Sequence, residues 1–409
     1  MADSSRVLLV CPEPLGHAQP AGVGIRFLEF ARALLEAGHQ VTILSPDGGS
    51  VPGCVAALSS PQNLRDFSTS NHVAILQGHI VNDFLAHAAR IPLVIDLYDP
   101  FIIENLHYVP SHGRETFDHD HSTLLKSLAA GDFFICASAA QRLFYLGLLL
   151  SLKRVTAERF HDDPTLRSLI DLVPFGVPPA VTRSTRFRGG AAVLFGGIYD
   201  WYDPILAIEA VRIARHDVPS LTLTFTRHPN PDLTPQGMTA RTIEHVRSEN
   251  LPFIHFENWT PYLERGAFYD RFACALLTFR QSLETELSMR TRVFDFLWAG
   301  LPVISSSAAG TDEVLLRYDA GVTIGSDRAE DFAAAIVSLM SDDTVRARFA
   351  EGGRRFTADH QWPMLMEPLL QFCRRPVQHA EGTVPSGAAL GRFRKGMLTR
   401  LKKRIGGPV

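Results

Sequence analysis

The chain lacks paired cysteines, long apolar runs and net charge, and each lack closes off a class of protein. Five cysteines are scattered at 11, 54, 136, 274 and 373 of 409 residues, with no Cys-x-x-Cys pair. That scatter excludes a disulfide framework and fits reduced, buried thiols in a cytosolic protein. The longest apolar run, Leu143–Leu152, is about half of what a membrane span needs, so a buried helix is expected there. The N-terminal segment MADSSRVLLVCPEP has too short an apolar run for a signal peptide and reads as the entry to a strand. A formal charge of −3 gives no case for a nucleic-acid binder.

What is present is a repeated alternation of strands and helices. At 46% apolar residues, the chain can fill two cores of ordinary size. Strands are expected at Arg6–Cys11, Gln40–Leu44, Val73–Leu76, Leu93–Asp96, Phe133–Ala137 and Leu169–Val173. Amphipathic helices fit between them, among them Arg26–Ala37, Ser122–Ala130 and Ala139–Ser151. A second series runs through Ala191–Phe195, Leu221–Thr226, Ile254–Phe256, Ala273–Leu277, Val303–Ser305 and Gly321–Ile324, with helices Pro204–Arg215 and Ala329–Ser341. Such alternation implies two mostly parallel, doubly wound sheets facing a cleft. Residues 174–190 are Pro-, Gly- and Arg-rich and read as the linker. The expected organisation is a first domain over 1–178, a second over 191–360, a closing helix over 361–380 and a basic tail over 381–409.

The richest stretch for chemistry is Glu284–Pro302. Ser288 can cap a helix beginning near Met289, and Val293, Phe296, Leu297 and Gly300 mark its buried face. Gly300 and Pro302 stop it. Its first turn would offer backbone N–H groups, a positive dipole end, Arg290 and Arg292, which together suit a phosphate. Downstream, Val303–Ser305 is a strand and Thr311 can cap the next helix. In the first half, Asp96, Asp99, Glu104 and His107 follow a buried strand, where ligands collect. Asp99, Glu104 or His107 could orient or deprotonate a hydroxyl. Gly22-Val-Gly24-Ile-Arg26 is a weak glycine-rich turn, because the third glycine of a dinucleotide fingerprint is missing. Asp118-His119-Asp120-His121 reads as a solvated helix start rather than a metal site. Arg392–Arg404 carries seven basic residues with Phe393, Met397, Leu398 and Leu401 near helical spacing, a pattern suited to an anionic membrane surface.

These residues resemble the GT-B glycosyltransferases of the family 4 type. The Gly-x-Pro turn after an acid-bearing helix, and Gly310-Thr-Asp-Glu-Val314 beyond a strand, carry the likeness. The resemblance implies two Rossmann-like domains, the first for the acceptor and the second for a nucleotide sugar. Its acidic pair lies about eight residues apart, ending five before the glycine. Counting back from Gly300 gives Asp295, which would hold the donor ribose. Eight further back is Leu287, so Glu286 is the first member shifted by one, and Glu284 its substitute at the donor sugar. Backbone N–H groups of Leu287, Ser288 and Thr291 would face the diphosphate, beside Gly196 and Gly197. The family's basic pair after the first strand of the second domain is absent from the loop Gly196–Asp203. Arg290 and Arg292, then Arg227, are the replacements expected. The aromatic residues of that loop could stack on the base or sugar, or pack on the linker.

The resemblance implies a retaining, metal-independent transfer with no cofactor beyond the donor. The acceptor would be a glycan or lipid-linked molecule in cell-surface polysaccharide synthesis. The enzyme would be cytoplasmic, with peripheral contact at the inner membrane face through 392–404. A sugar-nucleotide 2-epimerase or a non-catalytic GT-B partner subunit would use the same architecture.

Overall fold

The computed structural model describes residues 4–16, 20–179, 191–228, 236–262 and 264–379, without the side chains of 111 and 112. The basic tail and most of the expected linker lie outside these residues. Two parallel sheets form the frame. The first contains β1 (Arg6–Val10), β2 (Gln40–Ser45), β3 (Val55–Leu58), β4 (Val73–Gln77), β5 (Leu93–Asp96), β6 (Phe133–Cys136) and β7 (Ile170–Leu172). Their order is β3-β2-β1-β4-β5-β6-β7. The second contains β8 (Ala192–Gly197), β9 (Thr222–Thr226), β10 (Ile254–Glu257), β11 (Cys274–Leu277), β12 (Val303–Ser306) and β13 (Gly321–Ile324), ordered β10-β9-β8-β11-β12-β13.

Burial explains why the strands were readable. β4, β5, β6, β11 and β12 are buried along their whole length, as continuous apolar runs in a parallel sheet require. β3 was not foreseen. It is a short edge strand, VAAL, with no buried residue, and leaves no apolar pattern to find. The first sheet reverses its order between β1 and β4, and the second between β8 and β11. Ligands bind outside the carboxyl ends of strands at such switch points. The loops after β1, β4, β5, β8 and β11 therefore set the place of any site.

The helix Ala139–Ser151 corrects the expectation of a buried apolar helix. Tyr145 and Leu149 are buried, but Leu143 is 70% and Leu150 61% exposed. All five cysteines are free, and four of them are buried.

One ion pair ties the first domain together. Arg26 lies on the first helix, Gly22–Glu36, and Asp96 ends β5. Arg26 Nε and Nη2 donate to Asp96 at 2.5 and 3.0 Å, and neither side chain is exposed. Arg26 also donates to the carbonyls of Val173 and Pro174, just beyond β7. Its guanidinium stacks against Phe30, Tyr98 and Trp362. Trp362 comes from the far end of the chain. Val177 bridges Gln361, and Gly176 leaves the room that Trp362 fills: a Cβ there would stand 2.7 Å from the indole. The helix Glu367–Arg374 then returns to the first domain, where Phe372 stacks on Phe133 at 4.9 Å.

Arg26→Met should lower stability by about 3–5 kcal/mol, because Asp96 would stay buried without its partner. Replacing both residues, as R26M/D96L, should restore most of that loss in urea titrations. Equal losses in the two variants would place the cost in packing instead.

Candidate functional site

A cavity of about 570 Å³ opens between the carboxyl ends of the two sheets. Glu13, His79, Asp99, Glu104 and Tyr108 line it from the first domain, and Tyr199, Trp201, His228, Arg290 and Arg292 from the second. A smaller cavity adjoins it and shares Gly22, Tyr199, Thr291 and Arg292. Its far wall holds Gly196, Gly197, Trp259, Tyr262, Arg265 and Asp295.

The stretch Glu284–Pro302 folds as two helices, not one. A short helix, Leu283–Leu287, starts at a capping box between Ser282 and Thr285. It stops at Ser288, whose N–H donates to the Glu284 carbonyl. The second helix, Thr291–Trp298, begins after Arg290 with no side-chain cap. Ser288 therefore does not cap it. Its hydroxyl reaches across the cleft to Glu104 Oε1 at 2.9 Å. The expected buried face holds, since Val293, Phe296 and Leu297 are buried, and Gly300 ends the helix at φ +65°. Thr311 lies inside the following helix, Ala309–Tyr318, rather than at its cap.

The two arginines have parted duties. Arg290 forms a bidentate pair with Glu284 at 2.7 and 2.6 Å, with both side chains almost fully buried. It also lies over the rings of Tyr202 and Phe279. A guanidinium so engaged has its charge cancelled locally, and offers little to a diphosphate. Arg292 differs. Its Nη1 donates to the carbonyls of Phe195 and Gly197, and no carboxylate pairs with it among the described residues. A Cβ on Gly196 would stand 3.3 Å from Arg292 Nη1, so the glycine keeps that space open. Gly196 itself sits at φ +86°, beside a bulge in β8. Arg292 thus reaches from its helix into the loop where the expected basic pair was missing.

Other expected residues fall elsewhere. Glu286 is exposed on the short helix and lines neither cavity. Its neighbour Glu284 points the other way, into Arg290. Arg227 is exposed at the end of β9 and also lines neither cavity. Leu287 is buried, and its carbonyl accepts from Gln141 Nε2 at 2.9 Å. The Thr291 N–H donates to the Met289 carbonyl, so with Ser288 two of the expected phosphate donors are already used. His107 is exposed, off the cavity wall, with its ring 6.5 Å from that of Trp201. Tyr199, Trp201 and Tyr202 of the aromatic loop line the larger cavity. Tyr199 stacks on Trp201 at 4.9 Å, and Trp201 meets Tyr108 across the cleft.

Asp295 stands on the wall of the smaller cavity, 22% exposed, with Arg265 Nε 3.1 Å from its Oδ1. Burial raises its carboxyl, and Arg265 counters that rise. Asp99 and Glu104 both line the larger cavity, close enough for each to act on the other's charge. Burial first, and then the neighbouring Asp99 and Glu284 charges, push Glu104 well up; burial also raises Asp99. Close carboxyls that desolvate each other keep a proton between them.

Residues missed in the sequence complete the larger cavity. Glu13 accepts from the N–H groups of Ala21 and Gly24 at the first helix start. That contact is what the glycine-rich turn serves: a Cβ on Gly24 would stand 2.8 Å from Glu13 Oε2. His79 sets Nε2 3.0 Å from Asp120 Oδ1, and Asn105 donates to the other Asp120 oxygen. Asp120, within the Asp118–His121 run, is thus a buried anchor for His79. The position of Gly78-His79 at the carboxyl end of β4 was the signal available for it.

No protein-family model matches this sequence, and no curated protein does. Solved structures do. A sucrose-phosphate synthase from Thermosynechococcus elongatus is 15% identical, with a TM-score of 0.61 over 90% of this chain and 98% of that one. The Anabaena protein HepE, solved with UDP-glucose, is 12% identical, with a TM-score of 0.63 over 90% and 98%. A glycosyltransferase from Rickettsia africae is 13% identical, with a TM-score of 0.59 over 92% and 100%. With its two parallel sheets of seven and six strands, each flanked by helices, the chain therefore has the GT-B fold.

Proposed function

We propose that the protein is a glycosyltransferase that moves a sugar from a nucleotide-sugar donor to a hydroxyl of a glycan or lipid-linked acceptor. The observation that carries this reading is Arg292. It is a cation without a carboxylate partner among the described residues, at a helix start and at the junction of two cavities. A diphosphate there would place its nucleoside in the smaller cavity beside Asp295 and its sugar in the larger one. In the reaction the acceptor oxygen bonds to the sugar C1 as the C1–O bond to the diphosphate breaks. The bonding pair leaves with the diphosphate, and the acceptor proton passes to a phosphate oxygen or a cleft carboxylate. Arg292 would stabilise the departing charge, and Asp99, Glu104 or His79 would hold the acceptor hydroxyl. Retention of configuration, independence of metal and a part in surface polysaccharide synthesis belong to this reading by resemblance, and membrane contact through 392–404 by the basic, amphipathic pattern of that segment.

A thermal-shift screen against UDP, GDP, dTDP and CMP tests it. At least one should stabilise the protein, and silence from all four would remove the reading. Asp295→Ala should weaken that nucleotide by about tenfold or more, measured by calorimetry. Arg292→Met should lower kcat by about 10²–10³ with a smaller change in KM, because it acts on developing charge. Matched losses in both constants would assign it to ground-state binding.

The acid pair gives a pH signature. The folded protein holds a proton on Glu104 above the ordinary value of 4.5, and the unfolded chain releases it. The stabilisation is complete below that value and is lost as the pH rises through the folded one. The Tm should therefore fall as the pH rises above 4.5, and Glu104→Gln should flatten the fall. Identical slopes in both proteins would show that Glu104 titrates in its ordinary range.

A further inference from the structure

The two walls of the larger cavity differ in charge. Glu13, Asp99 and Glu104 line it from the first domain, and among the described residues of that domain no lysine or arginine does. Three groups near this wall that could draw an anion are each met by a carboxylate. The N-terminus of the helix Gly22–Glu36 suits an anion, but Glu13 fills it, accepting from the N–H groups of Ala21 and Gly24 at 3.2 and 2.9 Å. Arg26, on the same helix, is paired with buried Asp96. His79 has Asp120 3.0 Å from its Nε2. Asp99 Oδ1 is buried with no hydrogen-bond partner, so no donor offsets that oxygen from behind. Arg292, which has no carboxylate partner among the described residues, stands on the facing wall and serves the diphosphate in the reading above.

Burial raises all three carboxyls, and the Asp99 charge adds to the rise at Glu13 and at Glu104. A further anion brought to this wall would meet groups that already repel one another. A hydroxyl meets no such barrier, since it donates to an ionised carboxyl and accepts from a protonated one. The same cavity also offers ring surface. Trp201 stacks on Tyr199 at 4.9 Å, and its ring lies 6.4 Å from that of Tyr108 on the first domain. Aromatic rings beside carboxyls suit a sugar ring, which has C–H faces and a rim of hydroxyls.

We propose that the acceptor presents an uncharged sugar ring to the first-domain wall, and that Glu13, Asp99 and Glu104 reject acceptors bearing a carboxylate or phosphate on that ring. The inference rests on the glycosyltransferase reading above and narrows it. On a lipid-linked acceptor, the sugar end enters the cavity and any phosphate stays outside. The selection works by repulsion as much as by fit, because an unpaired like charge costs an unwanted partner more than a missing contact does.

The test is transfer by the full chain to pairs of p-nitrophenyl glycosides that differ by one charge: glucoside against glucuronide, and galactoside against galacturonide. The donor is a sugar nucleotide of whichever base stabilises the protein in the thermal-shift screen, and the readout is release of the nucleotide. The neutral member of a pair should show a kcat/KM about tenfold or more above that of its uronide. Glu13→Gln removes one charge from the wall and should bring that ratio down to about threefold, whatever its effect on the neutral rate. Glu104→Gln should narrow it in the same way, and keeps the test open if the first variant fails to fold. A uronide used as well as its neutral partner overturns the proposal. So does a ratio unchanged in both variants, which would mean that shape and not charge excludes the uronide. Transfer to no glycoside, with nucleotide binding intact, overturns the sugar acceptor and leaves the donor reading standing. Failure of every nucleotide to bind is a different result, and removes that reading along with this one.

Discussion

The buried pair of Arg26 and Asp96 is the constraint on which the cleft depends. Two charges without solvent are costly unless every donor is engaged and the geometry is fixed. Here Arg26 meets the carboxylate at the end of β5, two carbonyls beyond β7, and three aromatic rings. One of those rings, Trp362, lies on the segment that follows the second domain. The same ion pair therefore sets the first helix, the carboxyl end of the sheet and the chain's return crossing. Asp96 is three residues before Asp99, so the cleft acids hang from this anchor.

On the other wall, charge has been redistributed rather than removed. The loop after β8 carries no base, and two glycines stand near its start. Their missing side chains are what allow a guanidinium from a distant helix to lie against the backbone. Arg290 and Arg292 are two residues apart, yet only one serves the cavity, because the short helix before them turns Glu284 into Arg290. The break between Leu287 and Thr291 is thus functional in its effect: it separates a neutralised arginine from an available one.

Much of the fold was legible in the residues, and the reasons are specific. Twelve strands of the two sheets were expected near where they occur, because parallel strands buried on both faces are short apolar runs between turns. β3 was not, because an exposed edge strand has no such run. The site was less legible. The stretch Glu284–Pro302 does bring Arg290, Thr291, Arg292 and Asp295 to the cavity walls, but a Ser–Thr capping box at Ser282 starts a separate short helix, and the expected helix begins later, at Thr291. Glu284 and Glu286 are two residues apart and face opposite ways, a distinction that depends on where the short helix begins. His79 and Arg265 are brought to the cleft by topology and gain their partners, Asp120 and Asp295, from far along the chain, whereas Glu13 is met by the nearby Ala21 and Gly24.

The pairing of Val177 with Gln361 has a mechanical consequence. The chain passes between the domains twice, and the passages lie side by side as a two-stranded bridge, with Trp362 seated on Gly176. Two adjacent straps restrict relative movement more than one does: they permit swinging about a line through both and resist twisting across it. Any opening of the cleft has to part the two hydrogen bonds that cross it, Ser288 to Glu104 and Tyr262 to Glu29, while this bridge stays in place.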